Sequence, residues 1–252
     1  MKHCVITGAA DGIGKALAQT FGAAGYTITG IDRDVERSAR TRDELLNAGI
    51  TATFITADLA DENAIEHISA QLAAGPLIDV LINNAGINAV GRFGQIDMAQ
   101  QHAVLGVNLV APLLLTGSLF RTERIAPGGS MVFLSSLSHF VGYPGAAVYA
   151  ATKDGIASYA RSLAVARPNL HVLTVYPGPT RTAHARRYSP DNRREQSRMP
   201  PEQLARSLFD AVRTRQGTLI PGRGNKLFAA VGRLLPPVTA LLLRKTLLDK
   251  LP

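Results

Sequence analysis

Thr7-Gly8-Ala9-Ala10-Asp11-Gly12-Ile13-Gly14 follows the apolar run Cys4-Val5-Ile6 and opens a stretch with helical spacing that continues to about Ala24. A strand, a glycine turn and a helix in that order make a phosphate cradle. Glycine permits unusual backbone angles and close approach of a ligand, and the exposed amides and dipole of a helix N-terminus favour a pyrophosphate. Three spaced glycines alone are a weak signal; an acid at the right distance strengthens it. Asp32 closes a second strand-like run, Tyr26 to Ile31, eighteen residues after Gly14. That is close to the roughly 20 residues that separate the turn from a carboxylate on the adenosine ribose in dinucleotide-binding units. Such a carboxylate accepts from the ribose hydroxyls and repels a 2'-phosphate, so NAD is the expected cofactor. Arg33 beside it is suited to a phosphate and keeps NADP as the alternative. Asp11 adds negative charge inside the turn and argues again for NAD.

Outward from this turn, strand-like and helix-like segments alternate. Residues 34 to 48 read as helix, Thr51 to Thr56 as a third strand, and Asp58-Leu59 follow at the edge where ligands meet a parallel sheet. Asp58 either accepts from an adenine amino group or caps the helix after Asp61. Asp79 to Ile82 form a fourth strand ending in Asn83-Asn84-Ala85-Gly86, whose small residues let backbone approach a cofactor. Residues 97 to 120 read as a helix interrupted near Pro112, with a polar Asn108 that either braces backbone or touches substrate. Gly128-Gly129 are expected to turn the chain into a fifth strand ending at Ser135-Ser136. A flexible segment, Leu137 to Ala147, precedes a long helix. Leu170 to Tyr176 is a sixth strand, residues 202 to 215 a helix, and Thr218 to Ile220 a last strand. The pattern is α/β: a Rossmann-type, doubly wound parallel sheet of about seven strands with helices on both faces. Residues 1–222 are expected to form one catalytic domain, with 223–252 a helical extension packed on it.

The long helix carries Tyr149-Ala-Ala-Thr-Lys153. Residues four apart share a helix face, so phenol and ammonium point into one cleft. A cation held near a phenol is expected to lower its pKa from about 10 and fit it for proton exchange with an alcohol or carbonyl oxygen. Ser136 lies thirteen residues upstream, at the end of the Met131–Leu134 apolar run.

Composition agrees with one α/β domain. The 252 residues are 46% hydrophobic and 18% charged, enough for a substantial core. Met1-Lys2-His3 runs straight into a strand, and the single Cys4 has no intrachain disulfide partner, so the expected location is the cytoplasm. None of the six histidines has metal-ligand spacing, and no metal is expected. The net charge of +8 is uneven. From residue 181 onward there are 15 Lys and Arg against 5 Asp and Glu, leaving 12 against 14 before it.

TGAADGIG at 7–14, NNAG at 83–86, Asn108, Ser136, YAATK at 149–153 and PGPTRT at 177–182 resemble, in order and spacing, the motifs of the short-chain dehydrogenase/reductase family. The resemblance covers roughly residues 2 to 182. It implies NAD(P)-dependent hydride transfer between nicotinamide and an alcohol or carbonyl, and a homodimer or homotetramer. By the same resemblance, Tyr149 is the general acid/base. Lys153 lowers its pKa and holds the nicotinamide ribose, Ser136 binds the substrate oxygen, and Asn108 holds a water linking Lys153 to solvent. Gly8, Asp11, Gly12, Ile13 and Gly14 border the pyrophosphate, Asp32 and Arg33 the ribose, Asp58 and Leu59 the adenine, and Asn84, Ala85 and Gly86 the cofactor's other flank. Thr180 and Thr182 contact its carboxamide and phosphate side, with Pro177 and Gly178 beside them.

Substrate choice falls to the chain after the sixth strand. Ala183 to Pro201 is an arginine-rich lid (Arg186, Arg187, Arg193, Arg194, Arg198) that points to an acidic substrate, with His139, His184 and Tyr188 as pocket candidates. Leu227, Phe228, Val231, Leu234 and Leu235 recur at helical spacing, and an apolar run from Val238 to Leu243 follows Pro236-Pro237. That tail is too short to span a bilayer. Oligomer or core packing ranks first for it, covering a lipophilic pocket second, and peripheral membrane contact third. Competing classes are a nucleotide sensor with little turnover, and an epimerase or dehydratase on the same fold. Nucleic-acid binding is not expected, since the arginine-rich stretch has no aromatic beyond Tyr188 and no recognisable module.

Overall fold

The structure is a computed structural model that describes residues 1–189, 191–246 and 249. Seven strands, β1 (Lys2–Thr7), β2 (Tyr26–Asp32), β3 (Ala52–Thr56), β4 (Ile78–Asn83), β5 (Ile125–Leu134), β6 (His171–Val175) and β7 (Thr218–Leu219), form one sheet in the order β3-β2-β1-β4-β5-β6-β7. Every pairing is parallel. Parallel neighbours need crossovers, and helices supply them: α1 (Gly12–Ala23), α2 (Val35–Asn47), α3 (Glu62–Ala74), α4 (Met98–Leu105), α5 (Ala111–Arg121), α6 (Ser138–Val141), α7 (Ala147–Ala166), α8 (Ala183–Tyr188) and α9 (Pro201–Arg213). Two C-terminal helices follow, α10 (Arg223–Leu234) and α11 (Pro236–Thr246). The strand order reverses between β1 and β4, which opens a crevice at the carboxyl ends of the strands.

Strands covered on both faces read as nearly continuous apolar runs, as Cys4-Val5-Ile6 and Met131-Val132-Phe133-Leu134 do. Alternate residues feed two cores. Ile6, Ile28 and Val132 meet Leu17 and Phe21 of α1 and Leu204 and Leu208 of α9. On the other face Val5, Leu81 and Phe133 meet Ile68 of α3, Leu115 of α5 and Ile156 of α7.

Two local expectations need correction and one is refined. Met98–Arg121 is one helical stretch of 24 residues, and the interruption expected near Pro112 is a local distortion of it. The irregularity lies just upstream, where Gly106–Val110 form a π turn and the Ala111 amide donates to the Gly106 carbonyl. A proline ring crowds the carbonyl four residues before it, here that of Asn108, and the widened turn relieves that contact. Among the described residues this stretch is the one helix long and apolar enough to cross a bilayer, yet it packs against α3 and α7. Gly128 and Gly129 sit inside β5 instead of before it. There the register jumps from Ile78 opposite Ile125 to Val80 opposite Ser130, and Gly128 takes φ +69°. Within the segment expected to be flexible, Ser138–Val141 forms the short helix α6.

Candidate active site

A cleft of about 840 Å³ lies along the carboxyl ends of the strands, within the range of natural cofactor and ligand pockets. The glycine turn forms one end. Asp11 is the N-cap of α1, its carboxylate accepting from the Gly12 amide at 2.7 Å and pairing with Arg37 at 3.3 Å. Gly12 holds φ +55° and packs against Thr182, while Gly8 holds φ +66° and faces Ala85 at 3.0 Å from where a Cβ would stand. A Cβ on Gly14 would run into the Gly8 carbonyl, so backbone and helix meet there without room for a side chain. Such a cradle fits the pyrophosphate of a dinucleotide.

Asp32 takes the Ala10 amide at 3.0 Å and the Asp34 amide at 3.1 Å, which fixes its carboxylate at the cleft edge. Arg33 turns to Asp58 at 3.5 Å and Arg37 also reaches Asp34 at 3.3 Å, so both guanidiniums at this end have carboxylate partners. Asn84 closes the adjoining wall, its side-chain amide donating to the carbonyls of Thr7 at 2.8 Å and Gly8 at 3.1 Å.

The opposite end holds Ser136, Tyr149 and Lys153. Ser135 at the tip of β5 donates to the Lys153 carbonyl at 2.8 Å, and the Lys153 ammonium donates to the Leu134 carbonyl at 2.9 Å. These two bonds pin α7 to the strand end in both directions. Asn108 accepts from the Ile87 amide at 2.8 Å and donates to the Ile87 carbonyl at 2.9 Å and to Thr152 at 3.2 Å. Thr152 in turn donates to the Tyr149 carbonyl at 2.7 Å.

Burial sets the protonation of this end. Desolvation pushes the Tyr149 phenol up to about 12; the hydrogen bond with Ser136 offsets part of that and nearby Tyr143 adds to it. Desolvation alone brings Lys153 down to about 8. The expected lowering of the tyrosine by its lysine is therefore reversed. The ammonium lies 5.6 Å from the centre of the Tyr149 ring and is directed at a backbone carbonyl, and burial of the phenol sets the direction of its shift. His184, still open to solvent on one side, is held down at about 4, first by the crowding of the cleft walls and then by the charges of Lys153 and Arg187.

Of the residues expected from sequence, Gly8, Asp11, Gly12, Ile13, Asp32, Arg33, Asn84, Ala85, Gly86, Ser136, Tyr149, Lys153, Pro177, Gly178, Thr180, Thr182, His184 and Tyr188 all line this cleft. Five stand outside its lining. Gly14 packs behind Gly8; Asp58 pairs with Arg33 and takes the Ala60 amide; Leu59 is buried. Asn108 sits behind Lys153 and braces Ile87 backbone, the first of the two readings open for it. His139 is drawn to Asp154 at 2.8 Å, lies tilted against Tyr176 and meets Phe140 edge-on. The lid arginines mostly serve the lid itself: Arg186 pairs with Glu195, Arg193 with Asp191, and Arg198 donates to Ser189 and Asn192. Arg187, over the Tyr188 ring, and Arg198, whose Nη1 has no hydrogen-bond partner among the described residues, both line the cleft. Sequence reasoning missed Arg37, Val141, Tyr143 and Asn225 in the walls, while Phe228 and Leu243 belong to the tail for which covering a pocket is the second expectation. Only the helical spacing of the tail pointed towards Phe228.

Comparison with known proteins agrees with this geometry. Residues 2–193 match the model of the short chain dehydrogenase family. The rat 3-oxoacyl-[acyl-carrier-protein] reductase is 34% identical over 181 residues, 70% of this chain and 75% of its own length. Among solved structures, a putative NAD(P)-dependent gluconate 5-dehydrogenase from Beutenbergia cavernae with bound NADP superposes with a TM-score of 0.78 at 28% identity, covering 87% of this chain and 94% of that one. A short-chain dehydrogenase from Sphingobium yanoikuyae in complex with NADPH gives 0.77 at 25% identity, covering 92% and 93%. With its glycine-turned α1, its parallel sheet and this match over most of its length, the chain belongs to the short-chain dehydrogenase family of NAD(P)-binding oxidoreductases.

Proposed function

We propose that the protein reduces a ketone carbonyl to a secondary alcohol, and runs the reverse reaction at higher pH. The observation that carries this reading is the convergence of Ser136, Tyr149 and Lys153 at one end of a cleft whose other end is the glycine turn. When bound, a nicotinamide supplies the hydride to the carbonyl carbon. Tyr149 gives its proton to the substrate oxygen, and Ser136 donates a hydrogen bond to that oxygen as charge gathers on it. With the phenol at about 12 and the lysine at about 8, neutral solution leaves Tyr149 protonated and Lys153 mostly charged. That is the state an acid catalyst of reduction requires. Lys153 orients the nicotinamide ribose and places a cation beside the phenolate that forms. A cavity of about 10 Å³ behind it, lined by Asn83, Asn108 and Lys153, has the size of one water and offers a route by which Lys153 recovers a proton.

NAD is the cofactor favoured by Asp32, whose fixed carboxylate repels a 2'-phosphate, while Arg33 and Arg37 already have carboxylate partners. NADP is the competing choice, carried by the two solved neighbours described above. For the substrate, the apolar wall of Val141, Phe228 and Leu243 favours a greasy carbonyl compound over an acidic one. The relative named as a 3-oxoacyl-[acyl-carrier-protein] reductase fits that choice. The test follows NADH and NADPH absorbance with ketones from short polar to long-chain, steroid-like and acidic. Tyr149→Phe should lose turnover by about a thousandfold while still binding cofactor. A variant that turns over like the wild type would refute the assignment.

A further inference from the structure

The two C-terminal helices have two different faces. Inward, Gly232 of α10 abuts Val141 and the Phe140 carbonyl of α6, Arg233 lies over the Phe140 ring, and Thr239 and Leu243 of α11 are buried. Phe228 and Leu243 reach the catalytic cleft as part of its wall. Outward, Leu227, Leu234, Leu235, Val238, Leu241 and Leu242 are 49% to 77% exposed. Six large aliphatic side chains open to water on two adjacent short helices exceed the scattered apolar residues of an ordinary surface.

Charge decides what covers them. Residues 223 to 246 contain Arg223, Lys226, Arg233, Arg244 and Lys245, and no acid. Arg244 reaches Asp249 at 3.9 Å, but both side chains are mostly exposed and such a pair contributes little. Arg233 is turned inward, so a second copy meeting this face through a two-fold axis would set the other four cations against four more. An anionic surface neutralises them. The helices, of 12 and 11 residues and bent by 119° at Leu235, are each too short to cross a hydrocarbon core. They suit a position in the plane of an interface, leucines in the acyl boundary and arginines and lysines among the headgroups.

We infer that α10 and α11 dock the protein on an anionic lipid bilayer and that the cleft, walled by the inner side of the same helices, takes a lipid-dissolved carbonyl compound from that surface. The second part rests on the oxidoreductase reading of the cleft; the first does not. An apolar substrate partitions into the bilayer, so seating the cleft wall on the membrane brings the opening to where the substrate is concentrated.

The test is co-sedimentation of the full chain with vesicles of phosphatidylcholine alone and of phosphatidylcholine mixed with phosphatidylglycerol. The wild type should favour the anionic vesicles, and salt should weaken the binding. Arg244→Gln with Lys245→Gln should weaken it about thirtyfold, at about 1 kcal/mol for each cation near an anionic surface. Leu241→Ser with Leu242→Ser should reduce it on both vesicle types. Both double variants should keep wild-type kcat on a water-soluble ketone, since none of these residues lines the cleft, and should lose rate on a long-chain ketone supplied in vesicles. Equal binding to neutral and anionic vesicles, or variants that bind like the wild type, would overturn the docking. So would light scattering that shows copies joined through this face and separated by the serine substitutions. Intact docking with no preference for the vesicle-borne ketone would overturn the substrate part alone, and failure on every ketone would instead count against the oxidoreductase reading.

Discussion

Lys153 places a cation in a largely desolvated position, and the cost of doing so is readable in the pH dependence of stability. Its side chain is 5% exposed and its pKa falls from an ordinary 10.5 to about 8. Between those values the unfolded chain holds the lysine proton and the folded one gives it up. Stability therefore rises with pH through this window, because the unfolded state binds more protons. Integrated from about pH 8 to about pH 10, the gain is about 2 kcal/mol, at 1.36 kcal/mol for each full pH unit of difference. Tyr149 acts with the opposite sign, since a raised phenol loses stability as pH climbs from about 10 towards 12, so measurements should stop at about pH 10.

The perturbation is Lys153→Met, which keeps an unbranched apolar stem and removes the titrating group. Other shifted groups, among them the buried Cys4 thiol and Tyr26, titrate in both proteins and cancel in the difference. Urea unfolding should be followed by far-ultraviolet circular dichroism, because the chain has no tryptophan and tyrosine emission itself changes with pH. The wild type should gain about 2 kcal/mol on the variant between the two ends of the window. A difference that stays flat, or that falls with rising pH, would show that the ammonium is solvated and would remove the physical basis for the proton route through Lys153.

Three further outcomes follow from the same geometry. Asp32→Ser should raise the ratio of NADPH to NADH efficiency by about tenfold or more, measured as kcat/KM, by removing the charge that opposes a 2'-phosphate. Asn108→Ala leaves the Ile87 amide and carbonyl without their side-chain partners and should lower unfolding stability by about 2 kcal/mol in urea, at about 1 kcal/mol for each of two part-buried groups. Gly14→Ala drives a methyl group into the Gly8 carbonyl and to within 2.8 Å of the Asn84 amide; the loss should be about 3 kcal/mol, with weakened cofactor binding by fluorescence titration.

The features legible in the sequence are those written locally. Strands such as Cys4–Ile6 and Met131–Leu134 announce themselves because burial on both faces demands unbroken apolar residues, and the positions of Gly8, Asp32, Tyr149 and Lys153 follow from strand ends and helix periodicity. Asn225 carries no such mark, and apolar spacing leaves core or oligomer packing and pocket cover both open for Phe228 and Leu243. They reach the cleft because α10 and α11 fold back over α6, a tertiary event that places Asn225 against Gly178. His139 fails for a related reason: Asp154, fifteen residues on, comes within 2.8 Å only once α6 and α7 pack. The direction of the tyrosine shift was illegible too, since spacing shows that a cation is near but not how much water both groups lose.

That loss of water acts on both members of the pair. In an exposed pair the lysine would lower the phenol and keep its own charge easily; here burial raises one group and lowers the other, so the phenol keeps its proton at neutral pH. The arrangement holds only if neither side chain can swing out to solvent. Ser135 on the Lys153 carbonyl and Lys153 on the Leu134 carbonyl tie this part of α7 to the sheet, and Asn108 on Thr152 ties it to the π turn on the other side. The distortion that opens the long helix at Gly106–Val110 carries Asn108 within it, so the misfit of Pro112 and the bracing of the catalytic helix meet in one turn of chain. The backbone irregularity that sequence reasoning places near Pro112 thus lies where the helix bearing the proposed proton donor is braced.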